Sequence, residues 1–475
     1  MKIMLKRIGI VLVLSLTLRL TFFLFQASWD PVILEKKIMP MGTDQRGYHQ
    51  LAVTLLEHKK LSFKPELPPV VLRTPIYPVF IAATYYIFGK QPWIVILLQN
   101  VIDSFTPILI LIIFSKLIDP KIGLISGILY SIEPHIIMYT NTFYSDSLFI
   151  FMLSLFLFFL TEFILNSGKN VNIIIASVLL GLAVLVKPAA AYLPFLIVIP
   201  LLFKFNKEYK QVIKYSFTFL IFYFITISPW LIRNYIHYGK IFLSNSGEYN
   251  LLAINITPME IPKRNKPQYI VEKELRDEAD SLMLADGIKP FWNEKPKDYW
   301  EELNLQQDIN KTEYWKRTAI KYIKQDPVSF TKHYFLGILH SFLNVASAGF
   351  AESLNLTSKG RSINLKSETD FISLIKRFFI EKSLPEIIFG ILIGIYLFLI
   401  YFSLIMGLIK LKDYNNKNIL YAYFLFSIYF ILIAGAGGLA RFRLPAVPFY
   451  IGISGLGLFE IIKYSLRKFN IRFFQ

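Results

Sequence analysis

Residues 172–210 read NIIIASVLLGLAVLVKPAAAYLPFLIVIPLLFKFNKEYK. Two apolar runs, 172–186 and 191–205, are separated by Lys187-Pro188 and end in Lys204, Lys207 and Lys210, with Lys214 just beyond. About 20 apolar residues cross the hydrocarbon core of a bilayer. Clustered lysines mark the cytoplasmic ends of such spans. The stretch therefore reads as a membrane hairpin with Lys187-Pro188 on the outer side and the lysine cluster inside.

The same alternation continues in both directions. Spans are predicted at 8–26, 92–115, 123–140, from just after Asp146 to Leu165, and at 215–232, 385–409, 419–438 and 445–462, which makes about ten. Basic residues fall at alternate ends: Lys2, Lys6 and Arg7; Lys116 and Lys121; Lys169; Lys410, Lys412 and Lys417; Lys463, Arg467, Lys468 and Arg472. This places both termini in the cytoplasm of a multi-pass cell (inner) membrane protein. The basic start followed by a long apolar run is an uncleaved first helix rather than a signal peptide. Residues 76–88 are too short to span and read as an interfacial helix on the outer face. Segment 328–345 carries Lys332, His333 and His340, which favour the interface over a span.

The fold expected is all-α and polytopic. An N-terminal transmembrane module, 1–237, carries a first outer loop at 27–75. A mainly helical hydrophilic outer domain follows at 238–384, then C-terminal spans and a basic cytoplasmic tail at 385–475. Composition agrees: 18% of residues are charged, against about a quarter in soluble domains. The net charge of +18 is accounted for by the basic inner loops, so no nucleic-acid partner is expected. The chain has no cysteine, which excludes disulfides, thiol catalysis and cysteine metal sites.

Ionisable groups at membrane depth are costly and default to functional candidates. Asp44, Arg73, Asp146, Lys187, Arg233 and Arg441 collect at the outer ends of the spans, while Arg19, Asp103 and Glu133 lie within them. A carboxylate there can take a proton from an acceptor hydroxyl, and cations can hold a departing phosphate. Each has a structural alternative. Asp44 can cap the helix that begins near Tyr48, Asp146 can cap the fourth span, Arg73 can anchor at the interface, Lys187 can snorkel, and Asp103 and Glu133 can bond neighbouring helices. The run RDEAD at 276–280 reads as a solvated helix face. His49 and His135 lack paired-ligand spacing, so no metal site is predicted and no cofactor is implied; a divalent cation stays open. No Walker A or GxGxxG motif is present, and no DxD stands in a cytoplasmic loop, which argues against a cytoplasmic nucleotide-sugar enzyme.

GTDQRGYHQLA (42–52), LRTPIYPVFIAATYYIFG (72–89), LYSIEPHIIMYTNTFYSD (129–146), GLAVLVKP (181–188), SPWLIRNYIHYGK (228–240) and LARFRLPAVPFY (439–450) occur in that order. The ordered set resembles the bacterial relatives of the dolichyl-phosphate-mannose–protein mannosyltransferases, a glycosyltransferase family 39-like group of the GT-C class. The resemblance covers about 8–250 and returns at 435–460. It implies a GT-C type helix bundle and a glycosyltransferase. The donor would be a polyprenyl-phosphate-linked sugar and the acceptor a hydroxyl on protein, lipid or glycan. Asp44 and Asp146 fall on the family's acidic sites, giving a catalytic base and a helper that orients the acceptor or a cation. The family's basic residue before a Pro in the loop falls on Arg73 and its Lys closing the GLAxLxK run falls on Lys187; both are expected to bind the lipid phosphate. Arg233, Arg441, Tyr48 and Glu133 complete the expected substrate-binding set. Many relatives have two adjacent acids in the first loop; here Asp44 is followed by Gln45, which leaves the acceptor class open. Three rivals stand beside this reading, one of them a non-catalytic membrane assembly protein, for which a cluster of outer carboxylates and cations would be an accident. A lipid or glycan flippase predicts charges near the bilayer midplane and repeats; this chain instead concentrates charge in its outer loops and shows no repeat. An envelope polysaccharide polymerase or ligase does not need the ordered motifs. On the transferase reading, Asp44, Arg73, Asp146 and Lys187 should line one site at the outer boundary.

Overall fold

The computed structural model of the chain describes residues 2–38, 44–166, 170–206, 208–291, 296–356 and 379–468, and every regular element among them is helical. Lys169, Arg472 and residues 357–378 of the outer domain lie outside the described residues. Among the described residues, eight helices are long and apolar enough to cross a membrane, or up to ten if two bent helix pairs each count as one span. The all-α polytopic bundle expected from the sequence is borne out among the described residues.

Most predicted spans map onto single helices. Asp146–Leu165, Leu384–Asp413 and Lys417–Gly437 match within a few residues. The second span, Pro92–Leu117, is two helices joined at Phe105, where Pro107 enters the next turn. The third is broken: Pro120–Ser131 and Pro134–Thr140 meet at 53°, because Pro134 cannot continue the hydrogen-bond ladder of the helix before it. Helix Val171–Val186 has 16 residues, only about 24 Å of rise, and stops at Lys187-Pro188. Ile76–Phe88 is a separate short apolar helix, as expected. The segment read as interfacial, 328–345, is helix Pro327–Leu343. It pairs with Ser347–Ser353 at 48°, a geometry that fits a broken span or a re-entrant loop.

Burial sorts the spans. Asp146–Leu165 and Ala440–Arg467 are the most buried of the eight, and Lys2–Phe25 and Tyr209–Tyr238 the least. Leu153, Phe156, Leu157 and Leu160 of the former are fully inside the core. The last span packs backbone-close on Leu384–Lys410. A Cβ on Gly457 would strike the Ser403 carbonyl, and one on Gly407 the Ile453 carbonyl. Small residues permit such approach between membrane helices.

The hydrophilic segment 238–384 has a small core of its own among its described residues, with Leu252, Ile256, Val271, Leu275, Ala279, Met283 and Trp315 inside. Its RDEAD run is less solvated than expected. Arg276 lies over the Trp315 ring at 4.8 Å, and Asp280 accepts from Trp315 Nε1 at 3.0 Å and from Lys311 at 2.5 Å. The domain is tied to the first outer loop. Lys64 pairs with Asp298 and with Glu301 at 2.8 Å, and Phe63 stacks on Trp300. Residues 69–72 are held from the other side. Tyr238 donates to the Pro69 carbonyl, Arg233 to that of Val70 at 2.9 Å, the Asn245 N–H to that of Val71 at 3.3 Å, and Ser244 to that of Leu72 at 2.8 Å. The next residue in the chain is Arg73.

Candidate active site

Asp44 opens helix Asp44–His58 and Asp146 opens the central span Asp146–Leu165. Both carboxylates therefore sit at helix N-termini, where unpaired backbone N–H groups favour negative charge. Lys187 closes Val171–Val186, which packs antiparallel against the Asp146 helix, so its ammonium arrives at the same end of the bundle. Arg441 lies in the short 3₁₀ stretch Ala440–Ala446 that opens the last span.

These four residues and Arg73 form one cluster. Arg73 Nη2 pairs with Asp44 Oδ1. Arg441 Nη1 donates to Asp44 Oδ2 at 3.0 Å and its Nε donates to Asp146 Oδ2 at 2.6 Å. Lys187 Nζ donates to Asp146 Oδ1 at 2.6 Å. One guanidinium thus bridges two carboxylates that are about a hundred residues apart in sequence. The fork geometry of arginine permits this and a lysine ammonium would not. Two carboxylates and three cations leave one net positive charge.

Aromatic faces hold the cations from behind. Tyr144 lies under Arg441 at 3.9 Å and Tyr48 under Arg73 at 5.0 Å, contacts that strengthen where water is excluded. The Tyr48 hydroxyl reaches Ser145 Oγ at 3.3 Å. Gln45 accepts from the Phe143 N–H at 3.0 Å. Gln45 therefore ties the Asp44 helix to the turn before Asp146.

The two carboxylates differ in access. The Asp44 side chain is 33% exposed and that of Asp146 is 1% exposed. Asp44 is therefore the more accessible of the two carboxylates. Burial pushes the Asp44 carboxyl up, but Arg73 and Arg441 pull it down further, and it ends well below the ordinary carboxylate range. Burial opposes the Arg73 charge, yet Asp44 beside it holds Arg73 firmly protonated.

The remaining candidates fall elsewhere. Arg233 lies on the Trp230 ring at 4.3 Å and serves the Val70 carbonyl, bracing the loop that leads to Arg73. Glu133 caps Pro134–Thr140 by accepting from the Ile136 N–H at 2.5 Å, in a separate group with His135 and Arg443. Arg19 and Asp103 form a fully buried pair at 2.5 Å, joined by the Tyr130 hydroxyl, and link three helices. Among the described residues no three His, Asp or Glu side chains gather as metal ligands, and a cation between Asp44 and Asp146 would have to displace Arg441. Tyr144 and Arg443 were not picked out by the sequence reading, although both lie inside the quoted motifs.

Residues 72–232 match the family described as dolichyl-phosphate-mannose-protein mannosyltransferase, so the resemblance read from the sequence is borne out. No curated protein matches the chain. Among solved structures the chain is similar to the oligosaccharyltransferase AglB from Archaeoglobus fulgidus in complex with an inhibitory peptide and a dolichol-phosphate. Identity is 13% and the TM-score 0.50, over 98% of this chain and 51% of that one. The same enzyme tethered to an acceptor peptide matches with 12% identity and a TM-score of 0.51, over 99% and 51%. ArnT from Cupriavidus metallidurans bound to undecaprenyl phosphate also matches, with 10% identity and a TM-score of 0.40, over 94% and 77%. The chain spans about half the length of the oligosaccharyltransferase it matches.

Proposed function

We propose that this protein is a glycosyltransferase that moves a sugar from a polyprenyl-phosphate donor to an acceptor hydroxyl at the outer face of the membrane. The observation that carries the reading is the bridged cluster. An accessible carboxylate, Asp44, stands beside three cations at one end of the bundle. A phosphodiester headgroup of charge −1 matches the net positive charge of that cluster. The family match over 72–232 supports the reaction class, since this segment contributes Arg73, Asp146 and Lys187.

In the reaction the acceptor oxygen bonds to the anomeric carbon of the sugar while Asp44 takes the hydroxyl proton. The bond between that carbon and the phosphate oxygen breaks, and its electron pair leaves with the phosphate. Arg73 and Lys187 hold the phosphate and stabilise the charge it gains. Asp146 keeps Lys187 and Arg441 in place. A phosphate leaves without a strong general acid, so one base suffices. The outer domain supplies acceptor contacts. Its cleft, about 340 Å³ and lined in part by Ser244, Asn245, Glu248, Glu313 and Lys316, shares Ser244 and Asn245 with the brace of the Arg73 loop.

Purified protein incubated with a panel of polyprenyl-phosphate sugars is expected to release polyprenyl phosphate from at least one when a hydroxyl acceptor is present. Vectorial movement of the lipid with no release would favour a flippase instead.

The orientation is tested separately. With no native cysteine, Lys210→Cys and Asp286→Cys each give a single thiol. A membrane-impermeant maleimide applied to intact cells should label the Asp286→Cys protein and spare the Lys210→Cys protein until the membrane is opened. Equal labelling of both would reverse the topology.

A further inference from the structure

Two helix breaks meet at one buried arginine. The first is the bend between Pro120–Ser131 and Pro134–Thr140; the second is the bend between Pro327–Leu343 and Ser347–Ser353. Arg443 is 1% exposed and reaches both. Its Nη1 donates to the carbonyls of Ser341 at 2.8 Å, Asn344 at 3.0 Å and Phe342 at 3.3 Å. Its Nη2 donates to His135 Nδ1 at 2.7 Å, and the Glu133 carboxylate stands 4.0 Å away. With Nδ1 accepting, the His135 proton is on Nε2 and faces the Val345 carbonyl at 3.2 Å. Carbonyls at a helix C-terminus have no partner within the helix, and in a low-dielectric interior an unpaired one is costly. Arg443 and His135 together serve four of them.

Arg443 sits two residues after Arg441 in a 3₁₀ stretch. At three residues per turn the two side chains leave on different sides, Arg441 toward Asp44 and Asp146 and Arg443 toward the two breaks. The first broken pair also runs directly into the turn that carries Tyr144 and Asp146. One side chain therefore fixes both the backbone that aims Arg441 and the segment that delivers its carboxylate partner.

We infer that Arg443, with His135, is a positioning residue that sets the Arg441 bridge between Asp44 and Asp146. The inference rests on the transfer reaction proposed above and adds a residue that touches no substrate. Neither a lysine at 443 nor a glutamine at 135 can serve the same set of partners in the same geometry, and both keep a polar group in place.

The test is a double-mutant cycle on polyprenyl-phosphate release, with the thermal midpoint of each detergent-solubilised variant measured alongside. Arg443→Lys and His135→Gln are each expected to lower turnover about tenfold or more in the wild-type background. In an Arg441→Lys background each should cost less than about threefold further, because the residue they position is already lost; interacting sites are non-additive in this way. Lys204→Gln, at a lysine that donates to the Phe163 and Ile164 carbonyls at the far end of the Asp146–Leu165 helix, serves as the structural control, and its loss should multiply with that of Arg441→Lys. Fully multiplicative losses for both Arg443→Lys and His135→Gln, or unchanged turnover in both, would overturn the inference. So would failure of both variants to fold, since a positioning residue must be alterable with the fold intact. If the wild type itself releases no polyprenyl phosphate from any donor, the transfer reading has failed. A wild type that turns over beside fully active variants fails the brace alone.

Discussion

Asp44→Asn is expected to lower turnover by about 10²–10⁴, the usual cost of losing a general base, with donor binding retained. Asparagine keeps the size and hydrogen-bonding edge of the side chain but cannot take the acceptor proton. Asp44 is chosen over Asp146 on access, because its side chain is 33% exposed and that of Asp146 only 1%. Charge then sets the pH dependence. The folded carboxyl is held below its ordinary value of 3.8 by Arg73 and Arg441 against the opposing effect of burial. A depressed carboxylate contributes its pairing energy above the unfolded pKa and loses it as pH falls through the folded value. The resting cluster should therefore survive acidification through pH 4, and no acid limb from Asp44 should appear above that in substrate-free protein. A base so strongly paired is also a weak one. On the proposed mechanism, donor phosphate taken up by Arg73 loosens the Arg73–Asp44 pair and leaves Asp44 better able to accept the proton. Donor dissociation constants in the two proteins, measured beside turnover, check the assignment. Near-normal turnover by folded Asp44→Asn protein returns Asp44 to the role of a helix cap.

How far the site was legible in advance follows from which forces write themselves into sequence. Spans were readable because hydrocarbon admits only long apolar runs, and the lysines at 204, 207, 210 and 214 mark one end of a span. Asp44, Arg73, Asp146 and Lys187 were readable as a set because each charge interrupts apolar sequence at the opposite ends of the helices. Their pairing was not. That Arg441 bridges two acids depends on Ala440–Ala446 winding as a 3₁₀ stretch, which no local pattern announces. Arg233 carries the same outer-end signature as Arg441, yet it braces the Val70 carbonyl. Sequence position gives the depth of a charge in the membrane but not its azimuth around the bundle. Glu133 looked like a site carboxylate for the same reason and instead caps a helix break. The breaks at 132–133 and 344–346 are hard to foresee because both flanking segments are apolar. Proline marks the first of them, and only paired carbonyls in three dimensions show what holds the second.

Arg441→Gln is expected to lower kcat/KM by about 10²–10³, the scale for removing one fixed charge donor from a transition-state site. The residue makes two contacts that nothing nearby can replace: Asp44 Oδ2 at 3.0 Å and Asp146 Oδ2 at 2.6 Å. Without it the buried Asp146 keeps only Lys187, and the cluster passes from one net positive charge to none. Donor affinity should fall together with rate, since a phosphodiester loses a cation in the ground state as well. That separates this variant from Asp44→Asn, where binding persists. Arg441→Lys is the sharper comparison. It restores the charge but supplies a single ammonium where two carboxylates need a planar fork. Recovery should therefore be partial, with donor binding regained more fully than turnover. The Asp44 carboxyl, released from one of its two guanidinium partners, should also titrate closer to its ordinary range. An acid limb absent in the wild type is then expected in the pH profile of Arg441→Gln. Turnover of Arg441→Lys within about threefold of wild type would show that charge alone matters and that the bridge between the two carboxylates is incidental. A limb that fails to move in Arg441→Gln would show that Arg73 alone sets the acidity of Asp44.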